Sequence, residues 1–338
     1  MLRNRIIDIA KGIAIFLVIF GHVTHVPEIR QYIWSFHIPL FFFISGVLIK
    51  ANNYQNFTQY LGKKSIQLLI PYLIFYIITF LYWLILEKNT RGTELVWWSQ
   101  IIGLFYGTYN LQHMFFNGAL WFIPCLFSME TLYWFIAKIT RWDIRLAMLI
   151  MLCLIGIYAS PYLSWLPFGI NAAMIGLVFL GIGNMLSPLI LSGQWYSRWS
   201  SITKLLVIGI LLFIQWALQD FAGADLASLK FYHPLMYIPL AIIGIALCFV
   251  ISSFIKGSTV LEWLGKSSLV LFAFQEPVYR VVIYVFSKIF GENVEQIREN
   301  LLFCLCCTII TILIICPLVW GYNRVINPFI KSLQCSKY

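Results

Sequence analysis

Long apolar segments recur along the whole chain, and short stretches between them carry most of the charged residues. A membrane-spanning helix needs about 20 mostly apolar residues, because the hydrocarbon core of a bilayer is about 30 Å thick. No internal repeat is visible, so we expect one all-α integral membrane bundle of about ten transmembrane helices, forming a single domain over residues 1–338. The predicted spans are 6–26, 32–50, 66–86, 117–137, 145–163, 170–190, 203–219, 234–255, 267–287 and 301–323.

Two segments need separate interpretation. The stretch WWSQIIGLFYGTYN, residues 97–110, is too short to cross a bilayer and is rich in aromatic residues typical of membrane interfaces. We expect it to form an amphipathic or re-entrant piece. The first apolar segment is followed by no small-residue cleavage site, so we expect it to remain as the first transmembrane helix.

The composition excludes an ordinary soluble domain. Hydrophobic residues make up 61% of the 338 positions and charged residues only 11%, with a mean hydropathy of +0.85. Soluble domains carry roughly a quarter charged residues. The eight cysteines mostly lie within apolar runs, without the spacing of a metal site or a disulfide framework, so we expect no metal.

The net charge of +10 reports on membrane orientation, not on nucleic-acid binding, because basic residues accumulate in cytoplasmic loops. With a cytoplasmic N-terminus, 15 basic residues fall on that side: Arg3, Arg5, Lys50, Lys63, Lys64, Lys138, Arg141, Arg145, Arg198, Lys204, Lys256, Lys266, Arg324, Lys331 and Lys337. Six fall opposite: Arg30, Lys88, Arg91, Lys230, Lys288 and Arg298. This bias predicts a multi-pass protein of the cell membrane (inner or plasma membrane) with both termini in the cytoplasm. Termini on the same side require an even number of spans.

Ionisable side chains inside the first two predicted spans are the strongest functional signal, because such residues are costly in a membrane. His22 follows the uncharged run Ile13–Phe20, and His37 lies within the aromatic segment FHIPLFFFISG. Lys11 and His22 are separated by about three helical turns, or about 16 Å, so they share one face of the first helix. That face carries a cation near the cytoplasmic end and an imidazole near the outer end.

The segments DIAKGIAIFLVIFGH (residues 8–22) and FHIPLFFFISG (36–46) resemble the membrane-bound acyltransferase family 3, especially its sugar O-acetyltransferase branch related to fucose 4-O-acetylases. The family's signature is a basic residue, ten intervening residues and a histidine, which fall here on Lys11 and His22. Most members have arginine at the first position, and lysine supplies the charge without the bidentate fork. The resemblance continues through KKSIQLLIPYLIF (63–75), GALWFIPCLF (118–127) and WLGKSSLVLFAFQEP (263–277).

The resemblance implies transfer of an acetyl group from cytoplasmic acetyl-CoA to a hydroxyl of a surface-polysaccharide sugar or its lipid-linked precursor. A hydroxyl needs a general base during attack on the thioester, and imidazole suits this role because its unperturbed pKa of about 6.5 lies near working pH. We expect His22 to be the base, with His37 and Glu130 as further catalytic residues. The acetyl-CoA phosphates are expected on a cytoplasmic group: Arg5, Asp8, Lys11, Lys63 and Lys64.

Several of these residues keep two interpretations. Asp8 either orients Lys11 or is a favourable charge at a helix start. Glu130, about midway through its span, is either protonated or paired with a cation or histidine. Glu276 and Arg280 either neutralise each other or face substrate. The expected substrate-binding residues are Trp121, Gln275, Glu276 and Arg280. Gln275 and Glu276 occupy the place where many relatives have a histidine.

Two other functional classes remain open at this point. A transporter or flippase of a glycan or glycolipid precursor would also carry intramembrane histidine, glutamate and arginine, although such proteins often show repeats. A structural subunit of an envelope complex would need none of the histidines for catalysis. The sequence leaves open the acceptor sugar, the hydroxyl position, the acyl chain length and the oligomeric state.

Overall fold

The computed structural model describes residues 5–54, 56–108, 113–159, 162, 166–221, 223–255 and 257–336. Its α-helices are α1 (Arg5–Val23), α2 (Pro27–Trp34), α3 (His37–Leu48), α4 (Phe57–Lys64), α5 (Ile70–Tyr82), α6 (Trp97–Tyr106), α7 (Phe122–Ile136), α8 (Trp142–Ala159), α9 (Ile170–Ser192), α10 (Gln194–Ser197), α11 (Ser201–Ala217), α12 (Pro234–Ile255), α13 (Thr259–Lys266), α14 (Ser268–Phe290), α15 (Val294–Glu299), α16 (Leu301–Gly321) and α17 (Asn327–Ser336). Wider π-helical turns join α4 to α5, extend α5 and join α16 to α17, at Ser65–Leu69, Trp83–Glu87 and Tyr322–Ile326.

The remaining regular structure is short. Two strands, β1 (Ala224–Asp225) and β2 (Lys230–Phe231), pair antiparallel, with Asp225 opposite Lys230. Single 3₁₀ turns occur at Ala51–Asn53, Gly118–Trp121, Pro167–Gly169 and Gln219–Phe221. The prediction of an all-α integral membrane protein is therefore confirmed, and the chain is a multi-pass membrane protein.

Nine helical segments in the described part of the chain are long and apolar enough to cross a membrane: Arg5–Val23, Pro27–Leu48, Phe57–Glu87, Gly118–Ile136, Trp142–Ala159, Pro167–Ser192, Pro234–Ile255, Ser268–Phe290 and Leu301–Gln334. The tenth predicted span, 203–219, corresponds to α11, whose 17 residues give a length of only about 26 Å. Nine crossings would place the two ends on opposite sides, so the predicted cytoplasmic location of both termini requires α11 to cross as well.

Some predicted boundaries differ from the structure. The second span begins at Pro27, not at residue 32, because proline is favoured in the first turn of a helix. The segment 97–110 contains the ten-residue helix α6, which stops at Gly107 in a left-handed conformation (φ 62°). Residues 109, 110, 160, 161 and 163 of the predicted elements, and the basic residues Arg3, Lys256 and Lys337, lie outside the described residues.

The chain divides into two compact units. The first comprises Met1–Ile49, Phe179–Asp225 and Lys230–Ile314, and the second comprises Lys50–Val178, Leu226–Leu229 and Ile315–Tyr338. The first unit therefore contains both helices that carry the candidate histidines. The prediction of one domain over residues 1–338 stays a prediction.

Helix α1 occupies the centre of the first unit. It packs against α2, α3, α12, α13 and α14, and Ile9, Ala10, Ile15, Val18 and Ile19 are fully buried. A helix that is apolar on nearly all sides is stable only when surrounded by other helices or lipid. The near absence of polar residues in the middle of α1 follows from this position.

Two helix pairs of the first unit approach each other backbone to backbone. A Cβ atom on Gly12 of α1 would overlap the carbonyl of Leu261, and one on Gly265 of α13 would overlap the carbonyl of Asp8. In a membrane, small residues at an interface allow this close packing, which replaces the hydrophobic driving force available in water. Gly46 of α3 and Gly183 on α9 make the same kind of approach, against carbonyls of Leu180 and Phe43 respectively.

In the second unit, tyrosine hydroxyls join neighbouring segments. Tyr72 and Tyr76 of α5 donate hydrogen bonds to the carbonyls of Leu104 and Gln100 on α6. These bonds satisfy carbonyl groups for which lipid offers no donor. The short helix α6 is thereby held against α5.

We predict that Gly265→Ala destabilises the protein by about 1–3 kcal/mol, because the added methyl group must displace the backbone of α1. Thermal unfolding in detergent should show a lowered midpoint. Gly209→Ala on α11 is the matched control, since open space surrounds that position and the midpoint should not fall. Equal midpoints for wild type and Gly265→Ala would contradict the close packing of α1 on α13.

Candidate active site

His22 lies in the last turn of α1 between two aromatic side chains. Its ring centroid is 5.9 Å from that of Trp34 on α2 and 6.4 Å from that of Tyr279 on α14, with the His22 and Tyr279 rings nearly parallel. Within the described part of the chain, no group forms a hydrogen bond to either imidazole nitrogen. The ring is thus positioned by packing, and both nitrogens remain available for a bound molecule.

The end of α1 is fixed by Arg298 of α15. Its guanidinium donates hydrogen bonds to the carbonyls of His22, at 2.6 Å, and Val23, at 3.0 Å. The last carbonyls of a helix have no partner within the helix and carry partial negative charge, so a cation stabilises them. In return, the backbone N–H of His25 donates to the carbonyl of Arg298, at 2.8 Å. From the sequence, Arg298 is only one of several loop charges, and its bond to the end of α1 was not predicted.

His37 begins α3 and is only 5% exposed. Its Nδ1 is 2.8 Å from the carbonyl oxygen of Ile33. A carbonyl can only accept a hydrogen bond, so Nδ1 carries the proton and Nε2 retains its lone pair. In this tautomer, Nε2 can accept a proton. His37 and His22 are close enough to interact electrostatically.

Three predicted substrate-binding residues lie on α14. Arg280 forms an ion pair with Glu276, with Nη1 2.8 Å from Oε1. Gln275 is fully buried, and neither atom of its amide group has a hydrogen-bond partner among the residues that the structure describes. Buried amides are normally hydrogen-bonded. Gln275 lies one turn from Tyr279, so it faces the same side of α14 as the ring that packs on His22.

A basic cavity lies at the opposite end of α1. It has a volume of ≈ 440 Å³ and is lined by Arg5, Ile6, Tyr196, Ser197, Trp199, Lys204 and Ser253. Lys204 is only 5% exposed, and its Nζ donates to the carbonyl of Ser253 at 3.2 Å. Arg5 was predicted for this end, but from the sequence Lys204 is only a topological signal, because its burial depends on tertiary packing.

The other predicted donor residues of the first unit lie on α1 itself. Asp8 is 4% exposed and lies in the first turn, and Lys11 is partly exposed one turn further along. Arg5 lies at the helix start, with Nε 3.9 Å from Oε1 of Glu262 on α13. Lys11 and His22 are thus on one helix, at the separation the sequence predicts.

The remaining predicted residues belong to the second unit. Glu130 pairs with Lys64, with Oε2 2.6 Å from Nζ, so of its two interpretations the paired one holds. The hydroxyl of Tyr60 donates to the carbonyl of Glu130 at 3.0 Å. Lys63 lies over the ring of Tyr54, at 5.5 Å, and Trp121 is 8% exposed. The catalytic, donor-binding and substrate-binding roles expected for these residues stay predictions.

These features define a multi-pass membrane protein whose first helix carries cations at one end and an unengaged imidazole at the other. Residues 4–320 match the family model of the acyltransferase 3 family, which is described as an acyltransferase domain. The chain belongs to this family.

Two curated relatives are similar over a smaller part of the chain. Nodulation protein NolL of Mesorhizobium japonicum is 39% identical over 84 residues, covering 21% of this chain and 22% of the relative. Nodulation protein NolL of Sinorhizobium fredii is 35% identical over 83 residues, covering 21% and 23%. The chain therefore aligns with under a quarter of the length of these relatives. No solved structure matches the chain significantly.

We predict that Gln275→Leu does not lower the thermal stability, because the replaced amide makes no hydrogen bond in the described protein. It should lower acyl transfer, because the amide is then no longer available to bind substrate. The control is Gln215→Leu, since the Nε2 of fully buried Gln215 donates to Ser35 Oγ at 2.8 Å and its loss should lower the unfolding midpoint. A fall in midpoint for Gln275→Leu as large as that of the control would show that its amide is structural.

Proposed function

We propose that the chain is a membrane O-acyltransferase that transfers an acetyl group from cytoplasmic acetyl-CoA to a hydroxyl of a surface-polysaccharide sugar or its lipid-linked precursor. Membership of the acyltransferase 3 family supports the reaction class. The observation that carries the proposal is the imidazole of His22, held by aromatic rings and an arginine-bound helix end with both nitrogens unengaged.

In the proposed reaction, a ring nitrogen of His22 accepts the proton of the acceptor hydroxyl as its oxygen attacks the thioester carbonyl. The tetrahedral intermediate collapses with cleavage of the carbon–sulfur bond, and the imidazolium returns its proton to the departing thiolate. The products are the acetyl ester and free CoA. His37 presents the lone pair of Nε2 nearby and serves as a second polar group for the acceptor hydroxyl.

The donor is proposed to bind along α1. Arg5 and Lys11, with Asp8 orienting Lys11, would hold the phosphate groups, and Lys204 adds a cation to the cavity at this end. A pantetheine arm extends on the order of 20 Å, which is sufficient for the about 16 Å along the helix axis between Lys11 and His22. Fixing both reactants on one rigid helix reduces the entropic cost of bringing them together.

Other residues keep their expected roles as part of this proposal. The donor-binding role expected for Lys63 and Lys64 and the catalytic role expected for Glu130 remain predictions for the second unit, where Lys64 and Glu130 form an ion pair. Gln275, Glu276 and Arg280 would contact substrate, and the same role expected for Trp121 of the second unit remains a prediction. No metal is required by the proposed chemistry.

Replacing His22 tests the catalytic assignment. We predict that His22→Gln lowers kcat about 10²–10⁴-fold, because the hydroxyl then lacks its general base. The assay is acetyl-CoA consumption by purified protein with a glycan acceptor, followed by mass spectrometry of the product. His233→Gln is the control, since His233 is exposed and its ring packs on Phe221. A His22→Gln enzyme with more than a tenth of wild-type kcat would refute the role.

Replacing Lys11 tests the donor assignment separately. Lys11→Ala should raise KM for acetyl-CoA about tenfold with little change in kcat, as expected when a contact shared by ground and transition states is lost. Lys11→Arg should preserve KM, and Lys288→Ala at the exposed end of α14 serves as a charge-removal control. An unchanged KM in Lys11→Ala would place the phosphate groups elsewhere.

A further inference from the structure

A second cavity, of ≈ 370 Å³, lies in the first unit where α2 meets the two-stranded sheet. Its walls include Arg30 and Trp34 of α2 and, from the sheet and the residue after it, Asp225, Lys230, Phe231 and Tyr232. None of these residues belongs to the candidate site described above except Trp34, whose ring contacts His22. Trp34 therefore contacts both the cavity and the candidate base.

The cavity carries an excess of positive charge. In the region that the structure describes, no carboxylate lies within ion-pair distance of Arg30 or Lys230. The guanidinium of Arg30 instead lies 4.1 Å from the centre of the Trp34 ring. Asp225 is the one carboxylate in the lining, and His25 at the edge is already paired with Glu295 at 2.7 Å. A bound anion would therefore meet two cations and one carboxylate.

The same walls present aromatic surfaces. Trp34, Phe231 and Tyr232 line the cavity, and Tyr232 is 72% exposed. Flat aromatic rings pack against the apolar faces of sugar rings, while carboxylates accept hydrogen bonds from sugar hydroxyls. Asp225 is suited to the second role, and it is close enough to His22 and His37 to interact with both electrostatically.

We propose that this cavity binds the carbohydrate acceptor and that the acceptor is anionic, carrying a phosphate or a carboxylate group on the sugar. Arg30 and Lys230 bind the anionic group, the sugar packs on Phe231 and Tyr232, and Asp225 orients the hydroxyls so that one is directed toward His22. This inference rests on the proposed function, because it names the substrate class of the same site. Arginine favours this task because its planar group binds phosphate and carboxylate through two hydrogen bonds.

Calorimetric titration of the purified full chain in detergent tests the charge requirement. The probes are glucose, glucose 1-phosphate, glucuronate and inorganic phosphate. We expect glucose 1-phosphate or glucuronate to bind at least tenfold more tightly than glucose, and the tighter of the two identifies the source of the charge. The preference should fall about tenfold in Arg30→Gln and in Lys230→Gln, and it should persist in Lys288→Gln, where a lysine next to Tyr284 outside the cavity is changed.

Three results would overturn the inference. Equal binding of glucose and both charged sugars would remove the charge requirement. Inorganic phosphate binding as tightly as glucose 1-phosphate would mean that the sugar contributes nothing. An unchanged preference in both Arg30→Gln and Lys230→Gln would place the anion elsewhere, and testing two variants guards against one that fails to fold.

The acceptor inference and the proposed function fail in different ways. Adding acetyl-CoA to the same samples and measuring free CoA tests transfer separately from binding. Selective binding of a charged sugar without any acetyl transfer, to these probes or to extracted surface glycan, would uphold the cavity and contradict the proposed function. Acetyl transfer to neutral and charged sugars with equal kcat/KM would uphold the function and contradict the anionic acceptor.

Discussion

The two hydrogen bonds from Arg298 to the final carbonyls of α1 are the interaction on which the candidate site depends. A helix end inside or at the edge of a membrane cannot leave its carbonyls without donors. A planar guanidinium can serve two adjacent carbonyls at once, which an ammonium group does less well. Because the backbone of His22 is held in this way, its side chain needs no hydrogen bond of its own to stay in place. The imidazole therefore remains free for chemistry.

Helix α1 also links the two ends of the proposed reaction. Its contact with α13 is so close that Gly12 and Gly265 leave no room for side chains. The separation between Lys11 and His22 is consequently fixed by helix geometry, at about 16 Å. A donor anchored by its phosphates at one end would present its thioester at the other without any large motion of the protein.

The apolar pattern predicted the helical class and most of the spans, because the length needed to cross a bilayer is visible in sequence. It also predicted the shared face of Lys11 and His22, since helical periodicity alone determines it. The break before His37 was not predicted: Phe36 packs against Gly244 of α12, a contact between distant segments. The sequence also did not predict which residues pair with each other, such as Lys64 with Glu130 or Arg298 with the carbonyls of His22 and Val23. These depend on tertiary packing and not on local pattern.

The most direct test of the account is an experimental structure of the protein with a non-reactive thioether analogue of acetyl-CoA. The account predicts that the nucleotide phosphates contact Arg5 and Lys11 and that the acetyl carbonyl lies within about 4 Å of the imidazole of His22, the reach of a near-attack arrangement. An analogue bound in full, with its acetyl group directed away from His22 or with its phosphates on a surface that excludes α1, would contradict it.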